Sequence, residues 1–129
     1  MKNELVQFVS KHQEYLKSTP LIATVNTGNL LYEKLKIALT RKVASGPLGG
    51  DQEIGALIAP GHLGAVFFFR DPLSSHPHQA DIDALSRLCD VYQVPIATNP
   101  KTAEALIFYL KETGLSTETI DRAPLPINF

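Results

Sequence analysis

The first polar segment that could carry chemistry is Thr24–Asn29, which lies directly before a predicted helix. It contains two threonine hydroxyls, two asparagine amides and a glycine. Hydroxyls and the free backbone N–H groups of a helix start together form a binding site for an anion such as phosphate. Threonine and asparagine are also preferred helix N-caps. Taken alone, the segment therefore favours a simple helix cap over an anion site.

The second segment, Ser45–Gln52, holds three glycines and one proline within six residues. Glycine has no Cβ, so the backbone of such a loop can approach a ligand closely. Asp51 then stands at the start of the next predicted helix. Two interpretations stay open: an N-cap aspartate after a flexible turn, or a carboxylate held against a small ligand.

The third segment, 70–81, follows the most apolar run of the chain, Ala65–Phe69. Asp71 lies where that predicted strand ends, a common place for active-site acids. His78 and Asp81 are three residues apart at a predicted helix start, so that the carboxylate could orient the imidazole. Taken alone, the pair of His78 and Asp81 favours a capped helix with an exposed histidine.

Periodicity supplies the elements that must position these segments. Amphipathic helical patterns alternate with short apolar runs; the first is a helix over Lys2–Lys17, and later stripes begin near Leu31, Ile54, Ile82 and Ala103. The predicted strands are Leu21–Val25, Arg41–Ala44, Ala65–Phe69 and Pro95–Thr98. Such alternation predicts a parallel sheet with helices on both faces.

In such a sheet every strand-to-helix loop lies at one edge, where ligands bind beyond the carboxyl ends of the strands. The three polar segments therefore converge. Together they bring an anion cradle, the carboxylates of Asp51, Asp71 and Asp81, and the imidazole of His78 to one place. That combination suits acid–base chemistry on a small phosphorylated compound.

Composition excludes several other classes of function. The chain has 129 residues, 44% hydrophobic and 19% charged, with a formal net charge of -1. This predicts one globular domain without a basic surface for nucleic acid. No apolar run is long enough to cross a membrane, and no signal peptide is recognisable, so we expect a cytoplasmic protein. We assign residues 1–110 to the domain and 111–129 to a C-terminal extension.

The remaining metal-binding and thiol residue types give weaker signals. Neither His12 nor His62 has a carboxylate at helical spacing like that of His78 and Asp81. We interpret His12 as an amphipathic side chain on a helix and His62 as a loop residue, and His76 lies beside the third segment without a partner. No set of His, Cys or Asp residues has convincing ligand spacing, so we predict no metal. The single cysteine, Cys89, belongs to an apolar helical stripe and is expected to be a buried structural thiol.

The motifs in these loops closely resemble those of the methylglyoxal synthase family, from about Lys2 to about Ile107. They are Ser45–Gln52, Arg70–Leu73, Pro77–His78 followed by Asp81, and Pro95–Asn99. The resemblance implies a flavodoxin-like three-layer domain that assembles as a homohexamer. It also implies conversion of dihydroxyacetone phosphate to methylglyoxal and inorganic phosphate, without a cofactor.

The resemblance assigns a role to each site residue. Asp51 would take the proton from the carbon beside the carbonyl, and His78 would polarise the enediolate oxygens and move the proton between them. Asp81 would orient the histidine, and Asp71 would line the site. The residues that would hold the phosphate and the substrate oxygens are Lys2, Thr24, Val25, Asn26, Thr27, Ser45, Gly46 and His78.

Two features depart from the family pattern. Asn26 replaces the middle of three threonines, although an amide can still donate a hydrogen bond. Family members also begin with an apolar strand ending in Ala-His-Asp, whereas this chain opens with a helix. We therefore expect a sheet that lacks its first strand, with unpaired neighbouring edges, and either a true start upstream or a poorly folding chain with little activity.

Two other functions remain open. A non-catalytic module of the same fold could bind phosphorylated metabolites for regulation. The chain could also be a truncated, inactive enzyme that retains only its assembly contacts. The joint presence of Asp51 and His78 favours catalysis over the binding module, because such a module needs only the anion cradle. Native mass and thermal stabilisation by phosphate would separate the inactive enzyme from the other two.

Overall fold

The computed structural model describes residues 2–39, 41–43, 50–58, 63–71, 73, 79–116 and 127–129. Within these ranges only the backbone is described for 2, 41–43, 50–51, 79–81 and 113–116. The described helices are α1 (Lys2–Lys11), α2 (Gln13–Lys17), α3 (Val25–Leu35), α4 (Gly50–Ile58), α5 (Gln79–Val91) and α6 (Pro100–Ser116). The described strands are β1 (Leu21–Thr24), β2 (Arg41–Val43), β3 (Ala65–Phe67), β4 (Ile96–Ala97) and β5 (Ile127–Asn128).

The strands form one parallel sheet in the order β2-β1-β5-β3-β4. Helices α1, α3 and α6 contribute to the apolar cluster on one face, and α4 and α5 to the cluster on the other. The chain moves in one direction across the sheet through α3 and α6 and in the opposite direction through α4 and α5. All four crossovers thus have the same hand, as expected of parallel sheets. The predicted three-layer, flavodoxin-like fold is confirmed.

The centre of the sheet holds a strand that the sequence did not predict. Ile127 pairs with Leu21 of β1 and Ala65 of β3, and Asn128 pairs with the next residue of each. The Ile127 N–H donates to the Pro20 carbonyl at 2.9 Å. The edges of β1 and β3 that we expected to be unpaired are therefore paired through β5. Because β5 is two residues long, it has no detectable periodicity in the sequence.

Other elements differ from prediction at their ends. The helix predicted over Lys2–Lys17 is divided at His12, where α1 ends in a turn before α2. Val25, predicted as the end of a strand, is instead the first residue of α3. Helix α6 continues to Ser116, so the polar segment after Lys111 begins as helix; the division at residue 110 stays a prediction.

The face of the sheet under α1, α3 and α6 carries the larger apolar core. Phe67 of β3 belongs to this core and contacts both Phe8 of α1 and Phe129, each at 5.2 Å between ring centroids. All three rings are buried. Full burial of a side chain of this size contributes about 1.5–3 kcal/mol. These aromatic contacts join the N-terminal helix to the two central strands.

The opposite face carries a smaller core, in which Ile54 and Ile58 of α4 and Leu85 and Cys89 of α5 pack on Ile22 and Val66 of the sheet. Since α4 connects β2 to β3, it must cross β1 and β5 to do so. None of the described helices is both long and apolar enough to span a bilayer.

Candidate functional site

The anion cradle predicted from Thr24–Thr27 is the junction of β1 and α3. Thr24 is the last strand residue and the helix N-cap, with φ -63° and ψ 159°, and its side chain makes no capping hydrogen bond. Its hydroxyl donates instead to the Thr27 hydroxyl at 3.3 Å. The N–H groups of the first turn of α3 therefore donate no hydrogen bond to the Thr24 side chain. Free N–H groups at a helix start attract anions.

The cradle is also accessible. Val25 is 40% exposed, Asn26 is exposed, and Thr24 and Thr27 are partly buried. The segment that we predicted at the end of a strand and before a helix is thus the last strand residue followed by the first helical turn. This favours the anion-site interpretation of Thr24–Asn29 over that of a simple side-chain cap, because the N-cap hydroxyl does not occupy the helix N–H groups.

Asp71 lies at the same edge of the sheet, beyond the end of β3. The N–H of the preceding residue, Arg70, donates to the Thr98 carbonyl at 3.0 Å, which extends the pairing of β3 with β4. The Asp71 carboxylate then accepts a hydrogen bond from the Leu73 N–H at 3.1 Å. This local turn is typical of aspartate after a strand. It fixes a partly buried carboxylate at the carboxyl end of a central strand, as predicted.

Asp51 and Asp81 are placed by backbone only. Asp51 is the second residue of α4, which follows β2, and Asp81 is the third residue of α5, which follows β3. Both helix starts lie at the edge that carries Thr24 and Asp71, since in a parallel sheet each strand leads to its helix at that edge. Lys2 is the first residue of α1. Ser45, Gly46 and His78 lie outside the described residues.

Arg70 is a further candidate residue at this edge, one that the sequence did not single out. Its Nε is buried without a hydrogen-bond partner. Its Nη1 lies 4.0 Å from the Asp83 carboxylate of α5, and that carboxylate is 62% exposed. An exposed pair at this distance contributes little stability. Arg70 thus brings a positive charge to the edge where a phosphorylated compound would bind. The signal available in the sequence was its position directly before Asp71.

Asn128, the last residue of β5, also has a buried polar side-chain atom. It is 1% exposed, and its Oδ1 has no hydrogen-bond partner. No signal in the sequence could have identified it, because its burial depends on β5 entering the sheet.

Two further predictions concern residues away from this edge. Cys89 is buried, as predicted; burial and then the charge of Asp90 raise the pKa of its thiol to about 11. His12 lies between α1 and α2, and its Nε2 is 2.8 Å from the Glu104 carboxylate of α6. Among the described residues, no group of three or more His, Cys, Asp or Glu side chains is arranged to hold a metal ion.

Comparison with known proteins identifies the family. The family model described as the MGS-like domain matches residues 4–98. The chain is 52% identical over 110 residues to methylglyoxal synthase of Acholeplasma laidlawii, covering 85% of this chain and 89% of that protein. It is 50% identical over 111 residues to methylglyoxal synthase of Bacillus subtilis, with coverages of 86% and 80%.

A solved structure supports the same family assignment. The crystal structure of methylglyoxal synthase from Elizabethkingia anophelis superposes with a TM-score of 0.77 at 42% sequence identity, covering 82% of this chain and 69% of that one. Sequence and fold agree, and the chain belongs to the methylglyoxal synthase family.

Proposed function

We propose that this protein converts dihydroxyacetone phosphate to methylglyoxal and inorganic phosphate, in the cytoplasm and without a cofactor. The observation that carries the proposal is the convergence at one sheet edge. The accessible N-terminus of α3, the Asp71 turn and the helix start that bears Asp51 all lie there. The names of the relatives at about half sequence identity support the same reaction.

In this proposal the phosphate binds at the β1–α3 junction. Thr24 and Thr27 supply hydroxyls and the first turn of α3 supplies backbone N–H groups, with Val25 and Asn26 contributing main chain and amide. Ser45, Gly46 and Lys2 complete the grip, as the family resemblance implies. A rigid grip matters because the bridging C–O bond must lie roughly perpendicular to the enediolate plane before phosphate can leave.

The chemical steps fall to the carboxylates and the histidine. Asp51 takes a proton from the hydroxymethyl carbon, and the electron pair forms an enediolate with the neighbouring carbonyl. His78, oriented by Asp81, donates to the enediolate oxygens, a kind of contact worth roughly a hundredfold or more in rate. The electrons then return to expel phosphate as the C–O bond breaks. The enol that remains becomes methylglyoxal by proton transfer.

Asp51 must be enclosed to act as a base near neutral pH, because a carboxylate in water holds a proton too weakly. Asp71 lines the site. Arg70 adds positive charge that favours the approach of the doubly charged substrate. We further propose that the protein is a homohexamer; Tyr32, Phe108 and Tyr109 are large exposed side chains available for subunit contacts.

The experiment separates binding from chemistry by comparing two variants with the wild type. Thr27→Val removes a hydroxyl from the cradle and should raise KM with a smaller change in kcat. Asp51→Asn should abolish turnover while phosphate still stabilises the protein against heat. Glu53→Gln, an exposed carboxylate on the same helix, is the matched control and should keep full activity.

The alternative functions predict other outcomes. A regulatory binding module would bind phosphate and show no turnover in the wild type. A truncated, inactive enzyme would show neither turnover nor phosphate-dependent stabilisation.

A further inference from the structure

Strand β5 occupies the middle of the sheet although it is only two residues long. On the β1 side, the Ile127 N–H donates to the Pro20 carbonyl and the Phe129 N–H donates to the Ile22 carbonyl, both at 2.9 Å. On the other side, β5 pairs with β3 in parallel register. The segment 127–129 is therefore held between two strands that both lie far from it in the sequence.

The side chains of this segment are enclosed by the protein. Ile127 is 2% exposed and Phe129 is 5% exposed, and both belong to the core cluster under α1, α3 and α6. The Phe129 ring stacks on Phe67 of β3 at 5.2 Å between centroids. Backbone pairing combined with anchors at alternate side chains is the mode in which a sheet binds an added peptide strand. We call the gap between β1 (Leu21–Thr24) and β3 (Ala65–Phe67) the strand slot.

The segment that fills the strand slot is joined to the rest of the chain by a tether. Ten residues, 117–126, separate it from the end of α6 at Ser116. A chain of that length can span at most roughly 33–36 Å, about the diameter of a small domain. The backbone bonds and the ring stacking in the slot are the same whichever molecule supplies the segment. A second copy can therefore provide it.

Exchange of the segment between two copies sacrifices no contact in the slot. Each chain of an exchanged pair gives up its own segment and regains the same contacts from its partner's. What opposes the exchange is local opening of the slot and the loss of free translation and rotation. In an oligomer such as the homohexamer proposed above, a neighbouring segment has an effective concentration of roughly millimolar, which reduces the second cost.

We propose that the strand slot binds residues 127–129 of a second copy of this chain, in the register that the segment of the same chain adopts here. The inference does not depend on the proposed reaction. An exchanged pair is closed and symmetric, because each copy both donates a segment and accepts one. The exchange links two subunits through the centres of their sheets, next to the strand that leads to Thr24.

Two variants with one cysteine each test the exchange. Ile22→Cys places a thiol in the slot and Asn128→Cys places one on the segment, with Cys89→Ala in both. Ile22 and Asn128 are register partners, and adjacent strands lie about 4.7–4.9 Å apart, a Cα separation that a disulfide can bridge. Neither variant can form this bond within one chain. Because Ile22 is 5% exposed, a thiol there is reached from within the slot.

The two folded variants are mixed in the presence of oxidised glutathione. A second sample is first refolded from denaturant as a mixture, so that slow opening of the slot does not limit exchange. We expect a disulfide-linked heterodimer on a non-reducing gel. Its yield should be about tenfold or more above that obtained when Thr102→Cys replaces Asn128→Cys, because thiols held in register have a far higher effective concentration than thiols that meet by diffusion. Thr102 is exposed on α6.

The double variant Ile22→Cys/Asn128→Cys is the positive control and should form an intrachain disulfide under the same conditions. If it does, but neither mixture yields a heterodimer, the segment stays in its own chain and the proposal is overturned. Failure of the double variant to form the bond would also overturn it, because β5 would then not occupy the slot in this register. Equal yields with Thr102→Cys and Asn128→Cys would show unspecific linkage and have the same consequence.

Discussion

Phe129 stacks on Phe67 with ring centroids 5.2 Å apart and ring planes inclined by 22°. The contact lies beside the pairing of β5 with β3, and Phe8 of α1 packs on the same Phe67 ring. The segment that supplies the middle strand is therefore held by side chains as well as by backbone hydrogen bonds. This matters for function, because β5 separates the strand that leads to Thr24 from the strand that leads to Asp71.

We predict that Phe129→Ala lowers the free energy of unfolding by about 3–5 kcal/mol, the usual cost of removing a buried phenyl ring. Chemical denaturation followed by circular dichroism measures it. Phe108→Ala is the control, since Phe108 is 67% exposed, and should change stability by less than about 0.5 kcal/mol. Similar losses in the two variants would mean that β5 is not a central strand in solution.

How much of this fold the sequence predicts depends on how each element is encoded. The strands beginning at Leu21 and Ala65 were found because burial on both faces demands continuous apolar runs. The strand at Ile127 was not found, because two residues are too few to show a pattern of apolar side chains. The break at His12 was missed for a related reason. Its apolar spacing continues across the turn, while the side chain bonds to Glu104, 92 residues away.

The candidate site divides in the same way. Thr24, Asp71 and the helix start at Asp51 were predicted at one edge because the topology of a parallel sheet brings every strand end there. Arg70 and Asn128 were not predicted as site residues. Each has a buried side-chain atom without a hydrogen-bond partner. Such burial depends on tertiary packing, which the local amino-acid sequence does not show.

The contact between His12 and Glu104 should make the thermal stability of the protein depend on pH. Burial alone would raise the pKa of Glu104, but hydrogen bonds and positive charge from His12 and Lys11 lower it below its ordinary 4.5. A lowered pKa in the folded state stabilises the protein above pH 4.5, and this contribution is lost as the pH falls through the folded-state value. We expect the Tm of Glu104→Gln to fall less between pH 6 and pH 3 than that of the wild type.

The expected effect is small, up to about 1 kcal/mol, since the carboxylate is partly exposed. Glu112→Gln at an exposed position of the same helix serves as the control and should keep the wild-type pH dependence. Parallel Tm curves for the wild type and Glu104→Gln would contradict the assignment.

Cys89 should resist thiol reagents in the folded protein. Its side chain is fully buried, and its pKa is raised to about 11 from an ordinary 9.0. Because the thiolate is the reactive form, labelling at pH 8 should occur only through unfolding and should become fast in denaturant. The raised pKa also means that stability declines above pH 9, where only the unfolded chain ionises. Rapid labelling in buffer alone would show that Cys89 is accessible.

The anion cradle can be tested without turnover. Inorganic phosphate should raise the Tm of the wild type in a concentration-dependent way, as any ligand of the folded state does. Thr27→Val should need about ten times more phosphate for the same rise in Tm, because it loses about one hydrogen bond to a charged group. Thr102→Val, an exposed threonine on α6, is the control and should respond like the wild type. Loss of the response in both variants, or in neither, would place phosphate elsewhere.

The most direct test of the central claim is to incubate the purified wild-type chain with dihydroxyacetone phosphate and measure methylglyoxal and inorganic phosphate together. We predict that both products form in equal amounts, that a metal chelator has no effect, and that Asp51→Asn forms neither above the spontaneous rate. Absence of methylglyoxal from the folded wild-type protein, or undiminished formation by Asp51→Asn, would contradict the account.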